Sequence, residues 1–277
     1  MQRYLELIDR ILTTGKQKED RTGIGTISIF GVEFRHDMNN GFPLLTTKKM
    51  YHKAIRVELE GFIKGIINKR WYQERGCTIW DEWCNPKKVS YGKDDETKAK
   101  MQEETDLGPI YGFQWRNFNS SGIDQLANAI KIVKENPNSR KIVVSAWNPL
   151  QLDQMALEPC HYSFLLNVID NKLNLAWDQR SVDTMLGLPF NIASYALLLH
   201  LIAKETGYQE GELVGHLKDV HIYKNHIEQA KEQLKRDPFT LPKVETSNFI
   251  SVFNWQHQET QFIDYKSHPK IEFSIAV

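Results

Sequence analysis

Apolar residues at the start of the chain recur at helical spacing. Leu5, Ile8 and Leu12 share one side among alternating charges, which predicts an amphipathic helix over 2–14 with Gly15 as its stop. The period then shortens: residues 26–30 and 32–34 read as strand on either side of Gly31. Phe42 to Lys49 reads as a loop leading into a helix from about 50 to 67, with Ile55, Leu59, Phe62, Ile63 and Ile66 as its apolar stripe. Glu58 falls at the edge of that stripe, so at least partial burial is expected, and Glu60 falls on the far side. Residues 86–106 are strongly charged and almost without large apolar side chains, which predicts an exposed, mobile insertion that adds little to a core. A helix near 122–135, a strand at 142–147 and a hairpin of 162–169 with 172–178, turned by Asp170-Asn171, come next. From Pro189 to Glu205 nearly every face is apolar, which predicts a central buried helix ended by Gly207. A strand near 212–217, a helix near 223–235 and a terminal strand near 270–276 complete an α+β pattern without internal repeats.

A chain of 277 residues with 41% hydrophobic side chains can bury one sizeable core, so residues 1–277 are expected to form a single domain. The 35 basic and 35 acidic side chains cancel, so no global field draws in nucleic acid or anionic lipid, and a phosphate ligand would need a local cluster. Three cysteines, at 77, 84 and 160, build neither a disulfide framework nor a four-ligand zinc site, so no metal is expected and a reducing, cytoplasmic setting is. No apolar run has the length of a signal core or a membrane span, and the protein is expected to be soluble.

The chemistry concentrates around Cys160. It stands in Met155-Ala156-Leu157-Glu158-Pro159-Cys160-His161, and one hairpin later comes Gln179-Arg180-Ser181-Val182-Asp183, followed by Gly187-Leu188-Pro189-Phe190-Asn191. A guanidinium beside a thiol stabilises thiolate and can also hold phosphate or carboxylate, while an amide can read the edge of a heterocycle. Taken alone, Cys160 could as well be a small core hydrophobe, because only Arg180 and His161 stand near it in sequence to lower its pKa.

Ten blocks in order resemble the folate-dependent, cysteine-nucleophile thymidylate synthase family: 21–26 (RTGIGT), 42–49 (FPLLTTKK), 79–83 (IWDEW), 107–112 (LGPIYG), 139–141 (SRK), 159–161 (PCH), 179–181 (QRS), 188–195 (LPFNIASY), 219–223 (DVHIY) and 275–277 (IAV). The resemblance implies a large twisted mixed sheet packed against helices, with one sheet face forming a dimer interface. It implies dUMP as substrate and 5,10-methylenetetrahydrofolate as donor of both carbon and hydride, with Cys160 as the thiolate that adds to C6 of the uracil ring. Arg180 and Ser181 would hold the phosphate with Arg21, and Arg140 and Lys141 would cross to the partner's site in a homodimer. Lys141 stands where the family usually has Arg, and a lysine cannot grip phosphate bidentately.

By the same resemblance, Gln179, Asp183 and Asn191 belong to the substrate set, Asn191 bonding N3 and O4 of uracil. On its own Asn191 could be only a helix cap. His221 and Tyr223 sit two apart on a strand-like segment and would share the ribose 3′-hydroxyl. Glu58 would relay protons and Tyr111 assist loss of the C5 proton through water. Lys48, Ile79, Trp80, Leu157, Asp183, Gly187, Phe190 and Val277 would surround the folate, with the apolar tail 273–277 closing as a lid.

Several residues depart from the family pattern: Tyr51 for His, Gly61 for Trp, Leu165 for Gln, Asn167 and Asp178 for aromatics, and Lys218 for Gly. Three other activities are alternatives. A related hydroxymethylase would let water capture the methylene in place of hydride. A cysteine hydrolase would need a base better placed than the adjacent His161 and an oxyanion motif, and none is apparent. A noncatalytic nucleotide binder would need neither the thiol nor a buried Glu58.

Overall fold

The computed structural model describes residues 1–20 and 23–274. In chain order these form α1 (Gln2–Thr14), β1 (Lys16–Lys18), β2 (Thr26–Asp37), α2 (His52–Lys64), α3 (Lys69–Glu74), α4 (Asp95–Glu103), α5 (Tyr111–Arg116), α6 (Gln125–Glu135), β3 (Val143–Ser145), β4 (His161–Ile169), β5 (Lys172–Asp183), α7 (Gly187–Thr206), β6 (Gln209–Tyr223), α8 (Ile227–Leu234), β7 (Lys243–Thr246) and β8 (Thr260–Ile263). The architecture is α+β, with a six-stranded sheet ordered β1-β2-β6-β5-β4-β3 and a separate β7-β8 hairpin.

The sheet is mixed because β5 and β6 run parallel while the other neighbours are antiparallel. A parallel pair needs a crossover, and α7 supplies it. The β4–β5 hairpin turns at Asp170 and Asn171 with φ of +51° and +59°, the left-handed geometry whose twist matches the strands it joins. α7 packs on β5, β6 and α2 with Leu197, Leu198, Leu199, Leu201 and Ile202 fully buried, and it ends at Gly207 in the left-handed conformation. No helix of the described residues is long and apolar enough to cross a membrane.

The structure differs from the sequence pattern at several elements. The two runs around Gly31 are one strand, β2, whose register with β6 stays constant across the glycine at φ +78°. The predicted strand 212–217 runs from Gln209 to Tyr223, and the helix expected from 223 begins at Ile227. Residues 270–274 carry no strand, and 275 and 276 lie outside the described residues. The charged segment 86–106 is mostly exposed, yet it contains α4, capped by Asp94 and seating Met101 in the core.

Two sets of hydrogen bonds join that segment to the rest. Lys69 is fully buried, and its ammonium donates to the carbonyls of Asp81, Trp83 and Met101 at 3.3, 3.0 and 2.8 Å. The Tyr91 hydroxyl lies between the carbonyls of Cys84 and Ala156, at 2.6 and 2.5 Å.

Helix α2 is covered on more sides than its stripe implies. Glu60 is 3% exposed; it accepts from Lys64 at 2.5 Å and meets His257 Nδ1 at 2.6 Å, because the chain around β7 and β8 folds over that face. The missing side chain at Gly61 is accounted for by Tyr72: a Cβ there would come within 2.3 Å of the Tyr72 ring, which occupies the space and donates to Ile66 O at 3.0 Å. The departures at 178 and 218 likewise pair with each other. Lys218 lies 3.3 Å from Asp178, on a sheet face that also carries His216, 3.5 Å from Asp178, and Arg35 bridging Glu33 and Glu212.

Candidate active site

The β4–β5 pairing assembles the nucleophile with its guanidinium. His161 pairs with Gln179, and the Arg180 N–H donates to Cys160 O at 2.8 Å, so residues twenty apart in sequence become neighbours. Arg180 Nε donates to Pro159 O and Nη2 to Glu158 O, both at 3.0 Å, and the guanidinium lies 5.4 Å from the Trp147 ring. Its fork is thereby held beside Cys160 with the positive charge partly open to solvent.

Cys160 as a residue is only partly buried. Its thiol nevertheless sits deep enough that desolvation pushes its pKa up, against the pull of Arg180 and of the Tyr111 hydroxyl. Tyr111 is placed by its own contacts: its hydroxyl accepts the Cys160 N–H at 2.9 Å, and its ring stacks with Phe62 at 5.0 Å and with His161 at 4.4 Å.

The expectation that His161 helps stabilise a thiolate is overturned. Burial pushes its pKa down to about 3, so the ring is neutral, and Nδ1 shares a hydrogen bond with Tyr195 at 2.9 Å. His161 therefore positions Tyr111 and supplies no charge. Among the described residues, that leaves Arg180 as the cation acting on the thiol.

Asn191 is not a cap. It lies inside the second turn of α7, where Oδ1 accepts from Gln179 Nε2 at 3.0 Å. Its orientation follows from groups whose polarity cannot change. The Trp177 indole can only donate, and it donates to Gln179 Oε1 at 3.1 Å; the Ser181 carbonyl can only accept, and it accepts from Gln179 Nε2 at 3.0 Å. Gln179 is therefore locked, and Asn191 must present Oδ1 to it and its Nδ2 elsewhere. Both amide hydrogens of Gln179 are committed within the protein, and one of them orients Asn191. Trp177 and this relay stand outside the sequence motifs, although residues 177 and 179 share a face of a strand by simple alternation.

Glu58, 8% exposed, lies close enough to Tyr111 for its charge to act on the phenol. Desolvation raises its pKa to about 7, offset in part by the nearby Trp80 indole N–H. That N–H approaches the carboxylate but completes no well-aligned hydrogen bond; it is a buried donor with capacity for a ligand. Trp80 itself is packed edge-on to Phe62 and Tyr111, at 6.3 and 6.1 Å.

Asp183, at the end of β5, accepts the N–H groups of Met185 and Leu186 with Oδ1 at 3.0 and 3.1 Å. Gly187 lies between Asp183 and Asn191: a Cβ there would be 3.7 Å from each. Lys48 is 5% exposed, bonded to Met185 O and 4.4 Å from the Phe273 ring; burial lowers its pKa to about 8. Ile79, Leu157 and Phe190 are partly buried against the same core.

His221 and Tyr223 alternate on β6 with ring centroids 5.2 Å apart. His221 Nδ1 lies 3.2 Å from Asp219 O, and Asp219 is held well below the usual carboxylate range, first by its hydrogen bond with His221. Arg140 and Lys141 are exposed, just before the edge strand β3, and do not join the other site residues of this chain. Arg21 and Val277 lie outside the described residues.

A family model described as thymidylate synthase matches residues 2–277. A protein of Mycoplasma mobile, named thymidylate synthase, is 46% identical over 290 aligned residues that cover 100% of both chains.

Proposed function

Because the chain belongs to the thymidylate synthase family, we propose that Cys160, Arg180 and Asn191 form the centre at which dUMP is bound and activated. The enzyme is a methyltransferase that converts dUMP to dTMP. A hydroxymethyl product is not favoured: the full-length relative is named a synthase, and the space left by Gly61 is filled by the Tyr72 ring.

The observation that carries the reading is the thiol held beside Arg180 by the β4–β5 register, with the Asn191 amide already oriented by Gln179. Arg180 and Ser181, joined by Arg21 and by Arg140 and Lys141 of a second copy, hold the phosphate. The negative phosphate and the positive guanidinium fix the ring so that C6 faces Sγ. Asn191 Nδ2 donates to O4, and the second lone pair of Oδ1 accepts N3-H, a pattern cytosine does not offer. His221 and Tyr223 take the ribose 3′-hydroxyl. Sulfur then bonds to C6 and electron density moves to C5 and O4, making C5 the nucleophile; Sγ leaves C6 last, restoring the ring double bond once C5 has lost its proton and its new one-carbon substituent has been reduced to methyl. Tyr111 serves that proton loss through water, and Glu58, able to exist in either protonation state near neutrality, relays protons around the ring.

The unfilled Trp80 N–H, the remaining oxygen of Asp183 and the apolar wall of Ile79, Leu157 and Phe190 suit a pterin, which has both donors and a flat apolar face. Lys48 and Gly187 complete that side, and Val277 is assigned to its closure. When bound, 5,10-methylenetetrahydrofolate supplies the one-carbon unit and the hydride and departs as dihydrofolate. Purified protein mixed with dUMP and this folate is expected to form dTMP and dihydrofolate one for one, read by mass and by dihydrofolate absorbance. An oxygenated nucleotide without dihydrofolate would overturn the reading.

The second copy is part of the proposal, because the exposed Arg140 and Lys141 have no role in their own chain's site. A twofold symmetric homodimer, paired through the outer sheet face, places them in the neighbour's. Mixing Arg140→Ala chains with Cys160→Ala chains is expected to restore activity, since one hybrid site receives every group intact. Failure to recover activity after demonstrated subunit exchange would remove the crossing residues from the mechanism.

A further inference from the structure

Glu158 precedes Pro159-Cys160, and its carboxylate Oε2 lies 3.5 Å from Nη2 of Arg180. The two side chains are 52% and 37% exposed, so the pair sits where a nucleotide arriving from solvent would first meet the guanidinium. Two of the three guanidinium nitrogens of Arg180 are thus already engaged: backbone carbonyls hold Nε and Nη2 from within, and the carboxylate lies against Nη2 from without. A phosphate dianion entering beside Arg180 is repelled by that carboxylate at close range.

We propose that Glu158 is the resting counter-ion of Arg180, occupying the place of the substrate's phosphate and swinging into solvent when the nucleotide binds. This rests on the reading of Arg180 as a phosphate ligand. The fold permits the exchange: Glu158 is in an exposed loop position before β4, and among the described residues no other hydrogen bond or ion pair of its carboxylate competes with release. The same carboxylate acts on the nucleophile. The charged and titratable groups that act on the Cys160 thiol are Arg180 and Asp183 on β5, Tyr111 on α5 and Glu158; Glu158 and Asp183 raise its pKa, and Arg180 and Tyr111 lower it. Exchange of Glu158 for phosphate leaves Arg180 neutralised by the substrate itself, so affinity for dUMP is where the effect of Glu158 is read most directly.

The test is Glu158→Gln, with Glu158→Asp as the charge-retaining control. Glu158→Gln is expected to lower the KM for dUMP about fivefold, the size of one close like-charge repulsion in a water-exposed setting, with little change in kcat. In the ligand-free protein, the rate of Cys160 alkylation by iodoacetamide is expected to rise at lower pH in Glu158→Gln than in the parent, while Glu158→Asp follows the parent. Inorganic phosphate is expected to protect Cys160 from alkylation at lower concentration in Glu158→Gln. Unchanged KM, alkylation profile and phosphate protection in Glu158→Gln, with Arg180→Ala weakening dUMP binding, would overturn the proposal and leave the phosphate role of Arg180 standing. If Arg180→Ala leaves dUMP and phosphate binding intact, both readings fall together. Should Glu158→Gln fold poorly, Glu158→Ala carries the same comparison.

Discussion

Cys160→Ala is expected to lower turnover on the order of 10⁴-fold or more while the protein still folds and still binds dUMP. The asymmetry follows from the geometry. The residues proposed to hold the nucleotide take their positions from backbone pairing and side-chain relays that do not involve Sγ: Arg180 from the β4–β5 register and the carbonyls of Glu158 and Pro159, Asn191 from Gln179. Removing sulfur leaves the binding surface and takes away only the bond to C6. A cysteine that merely filled core volume would behave the other way, losing stability with kcat preserved in whatever folded. Intact-protein mass with 5-fluoro-dUMP and the folate separates the cases: the parent is expected to gain the mass of a trapped ternary adduct and Cys160→Ala none. An adduct in the variant, or full turnover, would remove Cys160 as the nucleophile.

Much of this site is legible in the sequence because its key residues stand in short, ordered blocks. Cys160, Arg180, Ser181, Asp183 and Asn191 fall on one hairpin and the helix after it, so the local chain brings them together. The turn chemistry of Asp170-Asn171 and the Gly207 stop likewise act over a few residues, and both the hairpin and the helix follow from them. What stays hidden depends on long-range contact. Glu60 reads as solvated because a helical stripe reports only one face, and the cover on its other face arrives from His257, far along the chain. The neutrality of His161 follows from burial among Tyr111, Phe62 and Tyr195, which no spacing expresses. β2 reads as two pieces because Gly31 breaks its apolar run, and β6 reads too short because polar residues flank its apolar stretch, among them Lys218, which pairs with Asp178. Gly61 looks like a loss of side-chain volume, yet Tyr72 restores that volume from another helix. The departures from the family pattern at 61, 178 and 218 thus acquire partners in space that reading one position at a time does not supply.

Glu58→Gln is expected to lower kcat on the order of 10²- to 10³-fold, the range for losing a positioned proton-transfer group, and to remove the ionisation near neutral pH from the kcat profile. Its effect on stability should run in the opposite direction. Burial raises the carboxyl from its ordinary value of 4.5 to about 7, so below the unfolded pKa both states hold the proton and the group costs nothing. As pH rises through the window between those values, the unfolded chain ionises first and the folded state is progressively penalised, by up to about 3 kcal/mol above the folded pKa. The glutamine cannot ionise and escapes that penalty. Glu58→Gln should therefore gain stability relative to the parent as pH rises from about 4.5 through about 7, as followed by denaturant unfolding, while it loses catalysis. A carboxylate that only held the fold together would show loss of both, and a solvated one would show no pH-dependent difference. A kcat profile that keeps its neutral ionisation in Glu58→Gln would move the proton relay to another group, and Tyr111, with its phenol pushed well above the ordinary range by burial, is not one that titrates there. The buried carboxylate is thus a local liability to folding at neutral pH, kept where its proton can be exchanged beside Trp80 and Tyr111.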